Sequence, residues 1–151
     1  MVKQLHRVAA MLATLTIALF FGATVLVELM GSPDAIAQVK RLIVSPGLWL
    51  LVPAIAAAGG SGFVLSKSRH GRLVAAKKRR MPFIAANGLL ILIPCALFLD
   101  GRAAQGLFDA RFYVVQGVEL LAGAVNLLLM GLNIRDGFRL TGRFRPRAST
   151  R

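Results

Sequence analysis

The residues best suited to chemistry lie inside an apolar segment of the chain. Residues 112–133 are long enough to cross a bilayer, because about 20 apolar residues span ~30 Å of hydrocarbon. This segment nevertheless contains Gln116, Glu119, Asn126 and Asn133. A carboxylic acid in hydrocarbon can bind a proton or a cation, and amides beside it can line a polar path. These side chains therefore either perform chemistry or hold helices together.

Their spacing places the polar side chains on one helix face. The residues that recur at intervals of three and four are Gln116, Glu119, Gly123, Asn126, Met130 and Asn133. A polar group that faces lipid without a partner costs several kcal/mol, so this seam is predicted to face the interior of a bundle. Gly123 on the same seam allows a neighbouring helix to approach closely.

Asn126 has a predicted partner in Asn87. Counted from the same side of the membrane, the two asparagines lie at similar depths in consecutive apolar segments joined by a short loop. A hydrogen bond between them is therefore expected. Such bonds in membranes average about 0.6 kcal/mol, so it would fix register more than stability.

Glu119 is harder to interpret, because no Lys or Arg lies within any predicted span. Without a cation the acid is expected to be neutral, with Gln116 or Thr24 as its hydrogen-bond partner. Three interpretations stay open: a structural acid, a proton or cation site that Gln116, Asn126 and Asn87 would line, and a contact with a partner subunit or cofactor.

The remaining residues that could carry chemistry are weak candidates for a cofactor, metal or catalytic site. His6 and His70 lie near span ends on one side and could in principle bind a haem or a metal, but His70 lies in a polar loop that contains glycine and is expected to be exposed. No catalytic motif or phosphate-binding loop is present in the sequence. We therefore predict no catalytic residue, no metal site and no cofactor. The single cysteine, Cys95, is expected to be a small buried hydrophobic residue.

Four spans are needed to position these residues. The chain has 151 residues, of which 56% are hydrophobic, and its apolar blocks predict an all-α, integral membrane four-helix bundle over residues 1–133. The predicted spans are residues 8–30, 46–65, 82–99 and 112–133. Ser45 and Pro46 suit the start of the second span, and Pro53 and Pro94 are expected to kink the second and third. Residues 35–42 predict a short helix at the interface, with Lys40 and Arg41 at the headgroups.

The charges predict an orientation. The net charge is +13, and 15 of the 19 Lys and Arg residues fall on the side that contains both termini. Basic residues near span ends stay cytoplasmic, so both termini are predicted to face the cytoplasm of a bacterial inner membrane. Residues 134–151 are predicted to form a basic cytoplasmic tail. The basic residues expected to face anionic lipid there are Lys77, Lys78, Arg79, Arg80, Arg135, Arg139 and Arg143. Nucleic acid is not an expected partner.

Residues 1–37 also resemble a long signal peptide that ends in Ala35-Ile36-Ala37. The apolar core is longer than the usual 7–15 residues, and Glu28, Gly31 and Pro33 separate it from that site. We expect the segment to remain as the first span.

Function is predicted less directly than fold. The leading hypothesis is a small accessory or scaffold protein that packs with itself or with a larger membrane complex. Its packing surface would include the small-residue ridge Ala54, Ala58 and Gly62, inside the bundle or between subunits. One alternative is a proton- or cation-coupled small transporter that uses Glu119, and a second is a haem- or quinone-linked oxidoreductase. Small four-helix drug exporters carry their acid in the first span, so no family is assigned.

Overall fold

The computed structural model describes residues 1–67 and 71–140, and this part of the chain is helical with no strand. The helices are α1 Val2–Met30, α2 Pro33–Leu42, α3 Leu48–Lys67, α4 Arg72–Asn87, α5 Ile93–Ala103 and α6 Ala110–Leu140. Four stretches are long and apolar enough to cross a membrane: Val2–Met30, Pro33–Lys67, Arg72–Ala103 and Ala110–Arg139. The prediction of four membrane-length helices is confirmed, with α2–α3 and α4–α5 each forming one stretch.

The second span is broken near its start. Ser32 caps α2, because its side-chain Oγ accepts a hydrogen bond from the backbone N–H of Ala35 at 3.3 Å. After α2, Ser45 adopts an extended conformation (φ −139°, ψ 115°), and the Ser45–Pro46 peptide bond is cis. The predicted short helix is present. The following helix begins at Leu48, two residues later than predicted.

The third span begins earlier than predicted. α4 starts at Arg72 rather than Pro82, so Arg72 and residues 77–80 lie on a helix and not in a connecting loop. The backbone becomes π-helical over Gly88–Leu92, which ends two residues before Pro94. Proline lacks an N–H and its ring crowds the carbonyl four residues back, which accounts for the departure from α geometry here.

The fourth helix extends beyond the predicted span. α6 continues to Leu140, so residues 134–140 prolong the fourth helix beyond the predicted span. Arg143 and the rest of residues 141–151 lie outside the described residues, as does His70.

Two apolar clusters hold the helices together. Ala13 and Ile17 of α1 pack against Leu51 and Ala54 of α3. The second cluster joins α2, α5 and α6 and consists of Ile36, Leu99, Ala103 and Phe112. Most other large apolar side chains are exposed, as expected for helices whose outer faces contact lipid.

The small-residue ridge packs inside the bundle. Ala54 is buried in the α1–α3 cluster. A Cβ atom added to Gly62 would lie 3.1 Å from His6 Cε1 of α1 and 3.2 Å from Met81 Cε of α4. The sequence allows this ridge to pack either inside the bundle or between subunits, and these contacts favour the interior of the bundle.

Contacts between helices define the two ends of the bundle. His6 on α1 contacts Ser61 on α3, and Arg80 on α4 contacts Asp136 on α6. The start of α1, the end of α3, the start of α4 and the end of α6 therefore lie together at what we call the basic end. The opposite end, called the far end, contains α2 and the connection between α5 and α6.

An aspartate caps α6 at the far end. The backbone N–H of Phe112 donates to Asp109 Oδ1 at 3.1 Å, and the Arg102 guanidinium pairs with the other carboxylate oxygen. The hydrogen bond from the Phe112 N–H lowers the pKa of Asp109 more than the Arg102 guanidinium does. Together they hold this pKa below its usual range.

The Asp109 cap predicts an acid-sensitive contribution to stability. Because folding lowers this pKa, the contribution is complete above the ordinary aspartate pKa of about 3.9 and is lost as pH falls below that value. Asp109→Asn keeps a capping oxygen but removes the charge. We expect the difference in thermal unfolding midpoint between wild type and Asp109→Asn to be positive at pH 7 and to shrink towards pH 3. A difference that does not change with pH would contradict this assignment.

Candidate functional site

A buried ion pair lies at the centre of the far half of the bundle. Lys40 Nζ on α2 is 2.6 Å from Glu119 Oε2 on α6, and the two side chains are 0% and 12% exposed. Lys40 faces inward because it lies one turn after the buried Ile36 on the same face of α2. Two sequence expectations are therefore wrong: Glu119 has a cation, and Lys40 does not lie at the headgroups.

Further polar groups surround this pair. Gln116 Nε2 donates to Glu119 Oε2 at 3.1 Å. Gln116 is one of the two hydrogen-bond partners that the sequence predicts for Glu119. The other expected partner, Thr24, is buried on α1. Glu28 lies within electrostatic range of both Lys40 and Glu119. We call Glu28, Lys40, Gln116 and Glu119 the far-end cluster; it has two acids and one base.

The far-end cluster leaves hydrogen-bonding capacity unused. Gln116 Oε1 and Glu28 Oε1 are buried and have no hydrogen-bond partner in the structure. Buried polar atoms normally have hydrogen-bond partners, so these two oxygens could accept a hydrogen bond from water or from a ligand hydroxyl.

The predicted asparagine pair is present. Asn87 Nδ2 donates to Asn126 Oδ1 at 3.1 Å and to the carbonyl oxygen of Ala122 at 2.8 Å. Asn126 is completely buried. This bond fixes α4 against α6 close to the middle of the bundle.

A second ion pair, in which the carboxylate is buried, occurs at the basic end. Arg80 on α4 donates to Asp136 Oδ2 at 2.6 Å and reaches Asn133 Oδ1 at 3.4 Å, while Arg135 contacts the other Asp136 oxygen at 3.4 Å. Asp136 is 1% exposed. The Arg80 guanidinium is therefore bound by α6 while its side chain stays 24% exposed, and its contact with anionic lipid stays a prediction.

The sequence interpretation missed Asp136, although a signal was available. Asp136 follows Asn133 by three residues and so continues the polar seam of α6. The sequence predicts that the fourth span ends at residue 133, so the predicted seam stops before Asp136.

His6 packs into the bundle rather than lying free at its surface. Its Nδ1 atom is 3.1 Å from the carbonyl oxygen of Ala58 and 3.2 Å from Ser61 Oγ, both on α3. Within residues 1–67 and 71–140, no three His, Cys, Asp or Glu side chains come together as metal ligands would.

A large cavity occupies the space between α1, α3, α4 and α6. Its volume is about 1040 Å³, at the upper limit of the ~300–1,000 Å³ typical of small-molecule sites. Its lining is predominantly apolar and extends from the basic end to Glu119. The charged and polar lining residues include Lys3, His6, Arg7, Thr24, Lys77, Lys78, Glu119, Asn126 and Asn133.

The far-end cluster limits this cavity on one side. Glu119 is a lining residue, and its carboxylate is bonded to Lys40. The apolar cluster that contains Leu99 and Phe112, neither of which is exposed, lies on the same side. The arrangement is a deep apolar cavity with cations at one end and an ion pair at the other.

No known protein family, curated protein or solved structure matches this chain significantly. The candidate site therefore rests on its own geometry.

The ion pair predicts non-additive effects of mutation. Removing one partner of a buried pair leaves an uncompensated charge and typically costs about 3–5 kcal/mol, whereas replacing both with apolar residues is often neutral. We expect Lys40→Met and Glu119→Leu each to lower the thermal midpoint in mild detergent strongly. The double variant should recover most of the loss.

Arg41→Met is the matched control, because Arg41 is the exposed basic neighbour of Lys40 on the same helix. Its effect should stay within about 0.5 kcal/mol, as for ordinary surface substitutions. Equal effects of Lys40→Met and Arg41→Met, or additive losses in the double variant, would refute the pairing.

Proposed function

We propose that this protein is a small transporter of the bacterial inner membrane that takes an apolar or amphiphilic molecule into its bundle. The observation that carries the proposal is the cavity of about 1040 Å³, which is too large to be a packing defect. Both termini would face the cytoplasm, since the basic end contains most of the Lys and Arg residues. The cavity would then be accessible from the cytoplasmic side.

The Lys40–Glu119 pair supplies a means of coupling. Glu119 contacts both the cavity and Lys40, so a proton on Glu119 would break the pair and free the Lys40 ammonium. Glu28 is then the acid placed to attract that ammonium electrostatically. Exchange of Lys40 between two acids would alter the closed side of the cavity, as coupled transport requires.

A second candidate function is that of an accessory or scaffold protein. The observation in its favour is the third span, of which 11% is buried, compared with 22–28% for the other three. Outside the lining of the large cavity, its exposed large apolar side chains are Phe83, Leu90, Ile91, Leu97 and Phe98. A second copy of the chain or a larger membrane complex would cover this surface. The mass of the purified particle in mild detergent tests the idea, since a lone monomer would contradict it.

Two adjacent glycines offer a matched test of the cavity. Gly59 lines the cavity and Gly60 lies on the exposed side of α3, and a Cβ atom added at either position meets nothing within 4 Å. Gly59→Leu therefore fills part of the cavity, while Gly60→Leu adds the same side chain outside it.

Native mass spectrometry with added dioleoyl phospholipids measures cavity occupancy. We expect Gly59→Leu to reduce retained lipid about tenfold, which corresponds to ~1.4 kcal/mol of lost binding, and Gly60→Leu to retain lipid like wild type. Equal retention by both variants would contradict an occupied cavity. Mass analysis of molecules that co-purify with wild type also distinguishes a bound quinone, the signature of the oxidoreductase alternative.

A further inference from the structure

We infer that the cavity binds an anionic glycerophospholipid from the surrounding bilayer, with its phosphate at the basic end and its acyl chain along the apolar lining. The inference rests on the proposed function and names the class of molecule. It goes beyond the general attraction of basic residues to a membrane surface, because it assigns one lipid to one internal site.

The charges of the lining are separated along its length. Four cationic residues lie at the basic end: Lys3, Arg7, Lys77 and Lys78. Among the described lining residues the acid is Glu119, and Lys40 neutralises it. A molecule that complements this surface has an anion at one end and an uncharged apolar body. Lysine and arginine are the side chains that proteins use most to bind phosphate.

The depth of the cavity suits an acyl chain. Asn133 and Glu119 both line it and lie 14 residues apart on α6, which corresponds to about 21 Å along the helix. One leaflet supplies about 15 Å of hydrocarbon, half of the ~30 Å core. A chain that enters at the basic end can therefore extend fully before it reaches the far-end cluster.

The helix packing provides a lateral route for a lipid. α3 packs closely on α1 but touches α4 only over a short stretch. Gly59 of α3 and Ala85 of α4 line the cavity on either side of this gap, and a Cβ atom added to Gly59 meets nothing within 4 Å. Small residues leave the gap open, so a chain can enter sideways from the bilayer while its headgroup stays at the surface.

The test uses the full chain, delipidated in mild detergent, with phosphatidylglycerol or phosphatidylcholine as the added lipid. The triple variant Lys3→Gln/Arg7→Gln/Lys78→Gln removes three charges from the cavity. Lys77 is kept because its charge also acts on His6. The control Arg72→Gln/Arg79→Gln/Arg139→Gln removes three exposed charges from the same end but outside this lining.

We expect wild type to retain phosphatidylglycerol over phosphatidylcholine by about tenfold or more, since each basic residue near a lipid surface contributes measurably. The cavity variant should lose this preference and the control should keep it. Equal retention of the two lipids by wild type, or equal losses in both variants, would overturn the inference. If the preference is absent while Gly59→Leu still reduces total retention, the headgroup assignment fails and the proposed function stands.

Discussion

Polar and charged side chains inside hydrocarbon must find their partners within the chain, and the Lys40–Glu119 pair shows this constraint most clearly. The Lys40 side chain is completely buried, and Glu119, the acid that pairs with its ammonium group, lies 79 residues away in the sequence. The same requirement is met by Asn87 with Asn126 and by Arg80 with Asp136. All three contacts use the polar seam of α6. This helix therefore fixes α2 near the far end, and α4 both in the middle and at the basic end.

The constraint also explains which helix contacts are apolar. α1 and α3 face one another through Ala13, Ile17, Leu51 and Ala54, with no charged pair among these core residues. Small side chains let these two helices approach closely. On the other side of the bundle, a polar contact joins α4 to α6, whereas α3 touches α4 only over a short stretch, and the cavity lies among these helices.

The sequence predicted the parts of this structure that depend on local pattern. Hydrophobic periodicity predicted four spans, the inward-facing seam of α6 and the depth match between Asn87 and Asn126. It did not predict the cation of Glu119, because Lys40 and Arg41 follow a short apolar stretch that is typical of an interfacial helix. The extended conformation of Ser45 interrupts the helix between α2 and α3, and α2 lies inside the bundle. The sequence pattern did not predict this position of α2.

Helix ends limited the remaining predictions. Pro82 suggested a helix start, although α4 begins ten residues earlier at Arg72. For that reason the basic residues 77–80 were interpreted as a lipid-facing loop, and the Arg80–Asp136 pair was missed. The cavity could not be predicted either, because it depends on the spacing of four helices that are distant in sequence. Whether the seam residues act in transport stays a prediction.

The most direct measurement is solid-state NMR of the protein in lipid bilayers, with ¹⁵N-labelled lysine and ¹³C-labelled glutamate. We expect a dipolar correlation between Lys40 Nζ and the Glu119 carboxylate carbon, with the ammonium and carboxylate chemical shifts of a charged pair. Lys40→Met should remove this correlation. A neutral carboxylic acid signal for Glu119, with no lysine nitrogen coupled to it, would contradict the Lys40–Glu119 ion pair.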